Sequence, residues 1–336
     1  MTMSSTNPPP QLPLPGPNQR RRDLVLLLGL VGLVLAGLLA LAAATGWQDT
    51  WAQIGKLELA QIAILLGLSI ANYLLRGCRW HIFARRLGIG TTFFQNLRHY
   101  LGGFAMIATP GRVGELVRMR WIRRETGWTF EKTAPLVLVD RASDLAGMAI
   151  ILGVAIILSK NQIFGAVPVS LLALAAAILS TRPRLLVMVA DFGYRMVRRW
   201  PRQFARIRTA ARSLEKFSNP LVMGSATVLC ITGWFAEAYG FHLLLFWMGA
   251  DVSLTTAAAI FVFATIAGGA TGAPGGVGGA EAAMVALLTL EGVPIEVSLA
   301  ATAVIRLTTL WFAIGLGLTI FPFAERLSMK VKNDLE

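Results

Sequence analysis

Six apolar runs of membrane-crossing length dictate how this chain folds. They occupy residues 24–44, 57–75, 133–158, 164–180, 221–248 and 299–321. A helix rises about 1.5 Å per residue, so roughly 20 apolar residues cross a hydrocarbon core about 30 Å thick. In lipid only a helix or a closed barrel satisfies its own backbone groups, and each run is long enough to span as a helix. Composition agrees, with 55% of the 336 residues hydrophobic and 15% charged, where soluble domains carry about 25% charge. A water-soluble enzyme is thereby excluded. The expected fold is an all-α polytopic integral membrane protein.

The remaining sequence is organised around these spans. Residues 1–19 hold six of the 15 prolines and no charge, which suits an extended tail because proline fixes φ and removes a donor. Residues 20–336 read as one transmembrane domain. Its first run follows Arg20, Arg21 and Arg22. A cleaved signal peptide competes there, since Ala42 and Ala44 resemble a cleavage site, but the run exceeds the usual signal core of about 7–15 residues and reads as a retained anchor. Two further apolar stretches, 97–117 and 255–290, are interrupted by Thr109-Pro110-Gly111 and by Ala273-Pro274-Gly275-Gly276. Proline with glycine ends a helix, so each stretch reads as two short helices meeting at a turn inside the membrane, either re-entrant or fully spanning.

The net charge of +13 would suggest a nucleic-acid partner in a polar globular chain. Here it reads as topology, and no nucleic acid is implied. With a cytoplasmic N-terminus, six crossings and two broken stretches that enter and leave on one side, 27 of the 31 Lys and Arg fall on the cytoplasmic face. Only Lys56 and Lys160 lie opposite. That is the positive-inside pattern of a protein of the cytoplasmic membrane with both termini inside. Ten of these cations sit in the basic loop 181–218 against Asp191 and Glu215 alone, which places that loop on anionic headgroups.

The two halves of the chain resemble each other. Gly88 pairs with Gly249 at an offset of 161 residues, and Pro110-Gly111-Arg112-Val113-Gly114 pairs with Pro274-Gly275-Gly276-Val277-Gly278 at 164. Gly127, Glu131 and Arg141 pair with Gly292, Glu296 and Arg306 at 165. Repeat 1 covers about residues 57–158 and repeat 2 about 221–321. The run 164–180 adds a crossing between them, so the repeats are inverted, an arrangement typical of transporters.

Charge within a span is costly and marks candidate function. Arg141 and Arg306 are the cations inside spans. With Arg112 at a helix start, they are candidates to bind an anionic headgroup beside Gly111, Gly275 and Gly276, where a missing side chain lets the headgroup approach. Glu115, Asp140, Asp144, Glu237 and Glu281 are candidates to balance charge or carry protons. Arg306 has no acid within four residues, and the repeat points to Glu237 as its partner because Arg76 holds the equivalent position. Close helix packing is the other use of the glycines, and mutual neutralisation that of Arg141 and Asp144. Cys78 and Cys230 lie far apart, and His81, His99 and His242 lack ligand spacing. No disulfide, metal or cofactor is implied.

Several of these stretches together resemble a known family. Leu101-Gly102-Gly103-Phe104 leading into Thr109-Pro110-Gly111-Arg112-Val113-Gly114-Glu115, then Asp140-Arg141 with Asp144, then Ala273-Pro274-Gly275-Gly276-Val277-Gly278 with Glu281, resemble the transmembrane flippase domain of lysylphosphatidylglycerol synthase. The resemblance covers about residues 24–322 and implies movement of a phospholipid or polyprenyl-linked lipid between leaflets. The sequence departs from the synthase in lacking the large cytosolic aminoacyl-transferase domain, so synthesis of lysyl-phosphatidylglycerol is not implied. The expected function is that of a flippase or translocase for an anionic or polyprenyl-linked lipid, not an enzyme, with membrane lipids as partners. A membrane-embedded lipid-modifying enzyme and a proton-coupled transporter of a small solute are the alternatives.

Overall fold

The computed structural model describes residues 52–107, 113–158, 166–197, 214–217 and 219–335. The tail, the run 24–44, the Pro110-Gly111-Arg112 turn and much of the basic loop therefore lie outside the described residues. Within them the regular structure is helical, with no strand. Helix α1 (Leu59–Leu87) leads to α2 (Phe93–Gly102), which tightens into a 3₁₀ turn (Gly103–Met106) before α3 (Val113–Thr126). Next come α4 (Phe130–Leu158), α5 (Ala166–Thr181), α6 (Pro183–Val197) and a 3₁₀ turn (Leu214–Phe217). The second half runs α7 (Pro220–Trp247), α8 (Leu254–Ala270), a short turn (Pro274–Gly276), α9 (Gly279–Leu290) and α10 (Ile295–Arg306). A π-helical turn (Leu307–Trp311) then joins α10 to α11 (Phe312–Leu335).

Local chemistry sets these boundaries. Thr92 and Gln95 form a reciprocal capping box at the start of α2, the Thr92 Oγ1 accepting from Gln95 N–H at 3.3 Å. Asn219 caps α7 ahead of Pro220, whose missing N–H costs nothing in the first turn. Gly88, with φ of 98°, ends α1 in a left-handed cap.

Four helical stretches are long and apolar enough to cross a membrane: Leu59–Leu87, Phe130–Leu158, Pro220–Trp247 and Ile295–Lys330. With 28 to 36 residues each, they span about 42–54 Å, more than the hydrocarbon core requires. Helix α5 has 16 residues and is about 24 Å long, short of a full core.

Helix α1 continues well past the apolar run at 57–75 and carries Arg76 and Arg79 with it. Both are buried, as is Arg118 on α3. The sequence pattern puts these three on the cytoplasmic face as loop cations, whereas the structure buries them among its helices. The reason is partnership or enclosure by other helices, which a count along the chain cannot register.

Helix α1 packs on α7, α4 on α5 and α8, and α8 on α9, while α11 covers α2, the 103–106 turn and α3. One apolar cluster, with Leu65, Leu152, Trp234, Phe241 and Met284, joins α1, α4, α7, α8 and α9. A second, with Tyr73, Trp80, Phe83, Tyr100 and Leu136, joins α1, α2 and α4. Tyr73 and Phe104 of the second cluster and Trp234 and Phe261 of the first line a common cavity where the two meet. Helix starts in the two halves are separated by similar intervals: α1 and α7 begin at 59 and 220, α2 and α8 at 93 and 254, α4 and α10 at 130 and 295.

Candidate functional site

A cavity of about 650 Å³ lies at this junction. Its polar wall carries Arg76 from α1, Glu115 and Arg118 from α3, Arg141 and Asp144 from α4, Glu237 from α7 and Arg306 from α10. Gly275 and Gly276 reach it from the turn between α8 and α9. The lining from α5 and α8 is largely apolar, with Val169, Leu172 and Ala173 of α5 and Phe261 and Ile266 of α8. Leu172 lines the cavity and is also 69% exposed, so the apolar side reaches the outer surface of α5.

The centre of the polar wall is a buried ion-pair network between α1 and α4. Arg79 Nη2 donates to Asp140 Oδ1 at 2.6 Å and to Asp144 Oδ1 at 2.8 Å, and Arg76 Nη2 donates to Asp144 Oδ2 at 2.7 Å. Trp234 Nε1 completes the shell of Asp144 at 3.2 Å. Arginines three apart on one helix face aspartates four apart on the other, both spacings that keep side chains on one helical face. Arg141, one residue beyond Asp140, points elsewhere and pairs with Glu115 at 2.5 Å, with Asp144 at 3.5 Å. Helix α3 is thereby tied to α4.

The second half uses a different device. Glu281 Oε2 accepts the N–H of Gly278 at 2.7 Å, capping the start of α9, while its Oε1 accepts from Arg306 Nε at 2.6 Å. Arg306 Nη2 also donates to the Gly275 carbonyl at 3.0 Å. Gly275 and Gly276 have φ of 63° and 67°, a left-handed turn that an L side chain adopts only with strain. One guanidinium thus pins the whole turn. Arg306 therefore takes Glu281 as its acid, not Glu237, and Arg76 takes Asp144. Glu237 is buried, lines the cavity beside Asn72, and has no cation within 4.0 Å among the described residues.

Of the candidate residues, Arg141, Arg306, Glu115, Asp144, Glu237, Gly275 and Gly276 line one cavity, with Asp140 and Glu281 behind it. Gly111 and Arg112 lie outside the described residues. The sequence reading missed Arg76, Arg79 and Arg118 as interior groups. The available signal was the absence of any proline or paired glycine between Leu75 and Gly88, which lets α1 carry both of the first two inward.

The match to known proteins fits this architecture. Residues 26–317 match the family model described as lysylphosphatidylglycerol synthase TM region. The chain belongs to this family. A curated relative, a UPF0104 membrane protein of Methanothermobacter thermautotrophicus, is 28% identical over 142 residues. That alignment spans 42% of this chain and 41% of the relative's length. The chain is thus a multi-pass membrane protein of the lysylphosphatidylglycerol synthase TM-region family.

Proposed function

We propose that the chain is a translocase that moves an anionic or polyprenyl-linked lipid between the leaflets of the cytoplasmic membrane. The observation that carries this reading is the mixed lining of the cavity, arginines and acids together with apolar side chains of α5 and α8 that include the exposed Leu172. A small polar solute needs no apolar exit, whereas a lipid needs a polar berth for its headgroup and an apolar path for its chains. In this reading Arg141 and Arg306 face the headgroup, with Arg112, Gly111, Gly275 and Gly276 at the hairpin turns. Glu237 carries the coupling charge, and Glu115, Asp140, Asp144 and Glu281 balance the arginines. The matched model is of the synthase's membrane region, which supports a carrier rather than a catalyst.

An inverted repeat supplies the motion. Its support is the narrow range of offsets between helix starts, 161 to 165 residues, together with glycines of positive φ at both members of two repeat pairs, Gly88 with Gly249 and Gly127 with Gly292. The α2–α3 and α8–α9 pairs then serve as opposed re-entrant hairpins that gate alternately. Both termini face the cytoplasm, since no Lys or Arg occurs between Lys216 and Arg306, a stretch that in this reading contains the external turns at 249–253 and 291–294.

The test is a reconstituted leaflet assay with fluorescent phosphatidylglycerol and a fluorescent polyprenyl phosphate. The wild type is expected to move at least one of them. Arg306→Ala, which removes a charge-assisted contact, is expected to slow it roughly 10- to 100-fold. Wild-type rates in both Arg306→Ala and Arg141→Ala overturn the site.

A further inference from the structure

We propose that Arg118 is the residue that receives the phosphate of the transported lipid, an assignment that rests on the translocase reading. The other cavity arginines are already neutralised. Arg76 has Asp144 at 2.7 Å, Arg141 has Glu115 at 2.5 Å, and Arg306 has Glu281 at 2.6 Å. Arg118 lines the same cavity and is 2% exposed, yet no acid lies within 4.0 Å of it among the described residues. Its Nε and Nη1 donate to nothing there.

Three aromatic rings hold it instead. The guanidinium carbon is 4.2 Å from the Tyr100 ring centre, 5.4 Å from Trp80 and 5.7 Å from Phe104. Ring faces attract a cation but accept no in-plane hydrogen bond, so stacking orients the guanidinium and leaves its N–H edge unused. A buried charge with unused donors is costly until an anion arrives, and a phosphate matches the fork in geometry as well as sign.

The neighbouring backbone is shaped to keep this arginine in place. A Cβ at Gly103 would collide with Arg118 Nε and crowd its Cγ and Cδ at 3.0 and 3.1 Å. Glu115, one turn earlier on α3 and the nearest acid in sequence, is engaged by Arg141. The fold thus keeps one cation free of carboxylate where the 103–106 turn meets the cavity. The phosphate sits at the first hairpin, and the acyl chains run toward α5 and α8.

The shared chemistry is a tetrahedral phosphate, and its source is resolved by three probes on the full chain in nonionic detergent. These are dihexanoyl-phosphatidylglycerol, dihexanoylglycerol and inorganic phosphate, with thermal unfolding as the readout. The wild type should be stabilised by the phospholipid alone. Arg118→Gln should weaken that binding roughly 10- to 100-fold, the loss of a charged hydrogen-bonding group. Arg118→Lys keeps the charge without the fork and should fall between. Gly103→Ala, which displaces Arg118 without removing it, should weaken binding as well, so the assignment stays testable if Arg118→Gln folds poorly.

A merely structural role would lower the lipid-free midpoint and leave the preference for phosphatidylglycerol over dihexanoylglycerol intact. That result overturns the assignment. Equal stabilisation by inorganic phosphate overturns the lipid as source. Wild-type affinity in Arg118→Gln with loss in Arg306→Ala overturns Arg118 while the translocase reading stands. No phospholipid binding by the wild type overturns the assignment, and no movement of either lipid in the leaflet assay overturns the translocase reading.

Discussion

Arg79 is fully buried in a membrane-crossing helix and touches two carboxylates, Asp140 and Asp144. An unpaired charge at that depth costs about 2.5–3.5 kcal/mol on insertion scales. Pairing offsets that cost, and breaking one partner away exposes it again. Arg79→Met should destabilise the protein by about 3–5 kcal/mol because it strands Asp140, whose Oδ1 depends on it, while Asp144 keeps Arg76. Thermal unfolding in detergent should show a markedly lower midpoint. The double variant Arg79→Met/Asp140→Leu, which removes the stranded charge, should recover much of the loss. An Arg79→Met midpoint equal to wild type would show that the network contributes nothing. This network was illegible in the sequence for a physical reason. Hydropathy treats an arginine as a reason to leave the membrane, yet the acids that keep this one inside are 61 and 65 residues away.

At the scale of elements, the join between α10 and α11 carries most of the consequence. A π-helical turn replaces regular helix over Leu307–Trp311, immediately after Arg306. Such a turn shifts carbonyls out of the helical ladder, and one of them, Thr309 O, is taken by the Tyr73 hydroxyl at 2.5 Å. Tyr73 in turn sits edge-on to Phe104 at 5.1 Å, so a single side chain links α1, the first hairpin and the break in the last span. Tyr73→Phe keeps the ring and removes the donor. It should cost about 1–3 kcal/mol, the penalty for a buried acceptor left unsatisfied, read as a lower unfolding midpoint. A second element-level constraint lies on α11. A Cβ at Gly317 would collide with the backbone at Phe104 and Ala105. Gly317→Ala should therefore force the first hairpin away from α11 at a cost of about 1–3 kcal/mol, and wild-type stability would contradict that packing.

At the scale of the whole molecule, the helical character of the chain and the ends of several helices were readable because they rest on residues that act locally. Gly88, Gly127, Gly249 and Gly292 all adopt positive φ at helix ends, and Pro274 opens the second turn. The pairings were not readable, since Arg306 meets Glu281 through a hairpin fold that a linear offset misassigns to Glu237. The basic segment is a middle case. Its charge announced a headgroup-facing loop, but the structure adds helix α6, with Leu185, Met188, Phe192 and Met196 all exposed. Their spacing of three, four and four residues puts them within one arc, and Arg184 and Arg195 border it along one edge. An apolar stripe edged by arginines favours lying in the interface plane, with its stripe among acyl chains and its cations on phosphates. In proteoliposomes, Phe192→Trp should give blue-shifted emission that shallowly brominated lipids quench. Quenching should be stronger with phosphatidylglycerol than with phosphatidylcholine and should weaken as salt screens the arginines over a Debye length of about 8–10 Å. Water-like emission without quenching would instead leave α6 standing clear of the bilayer.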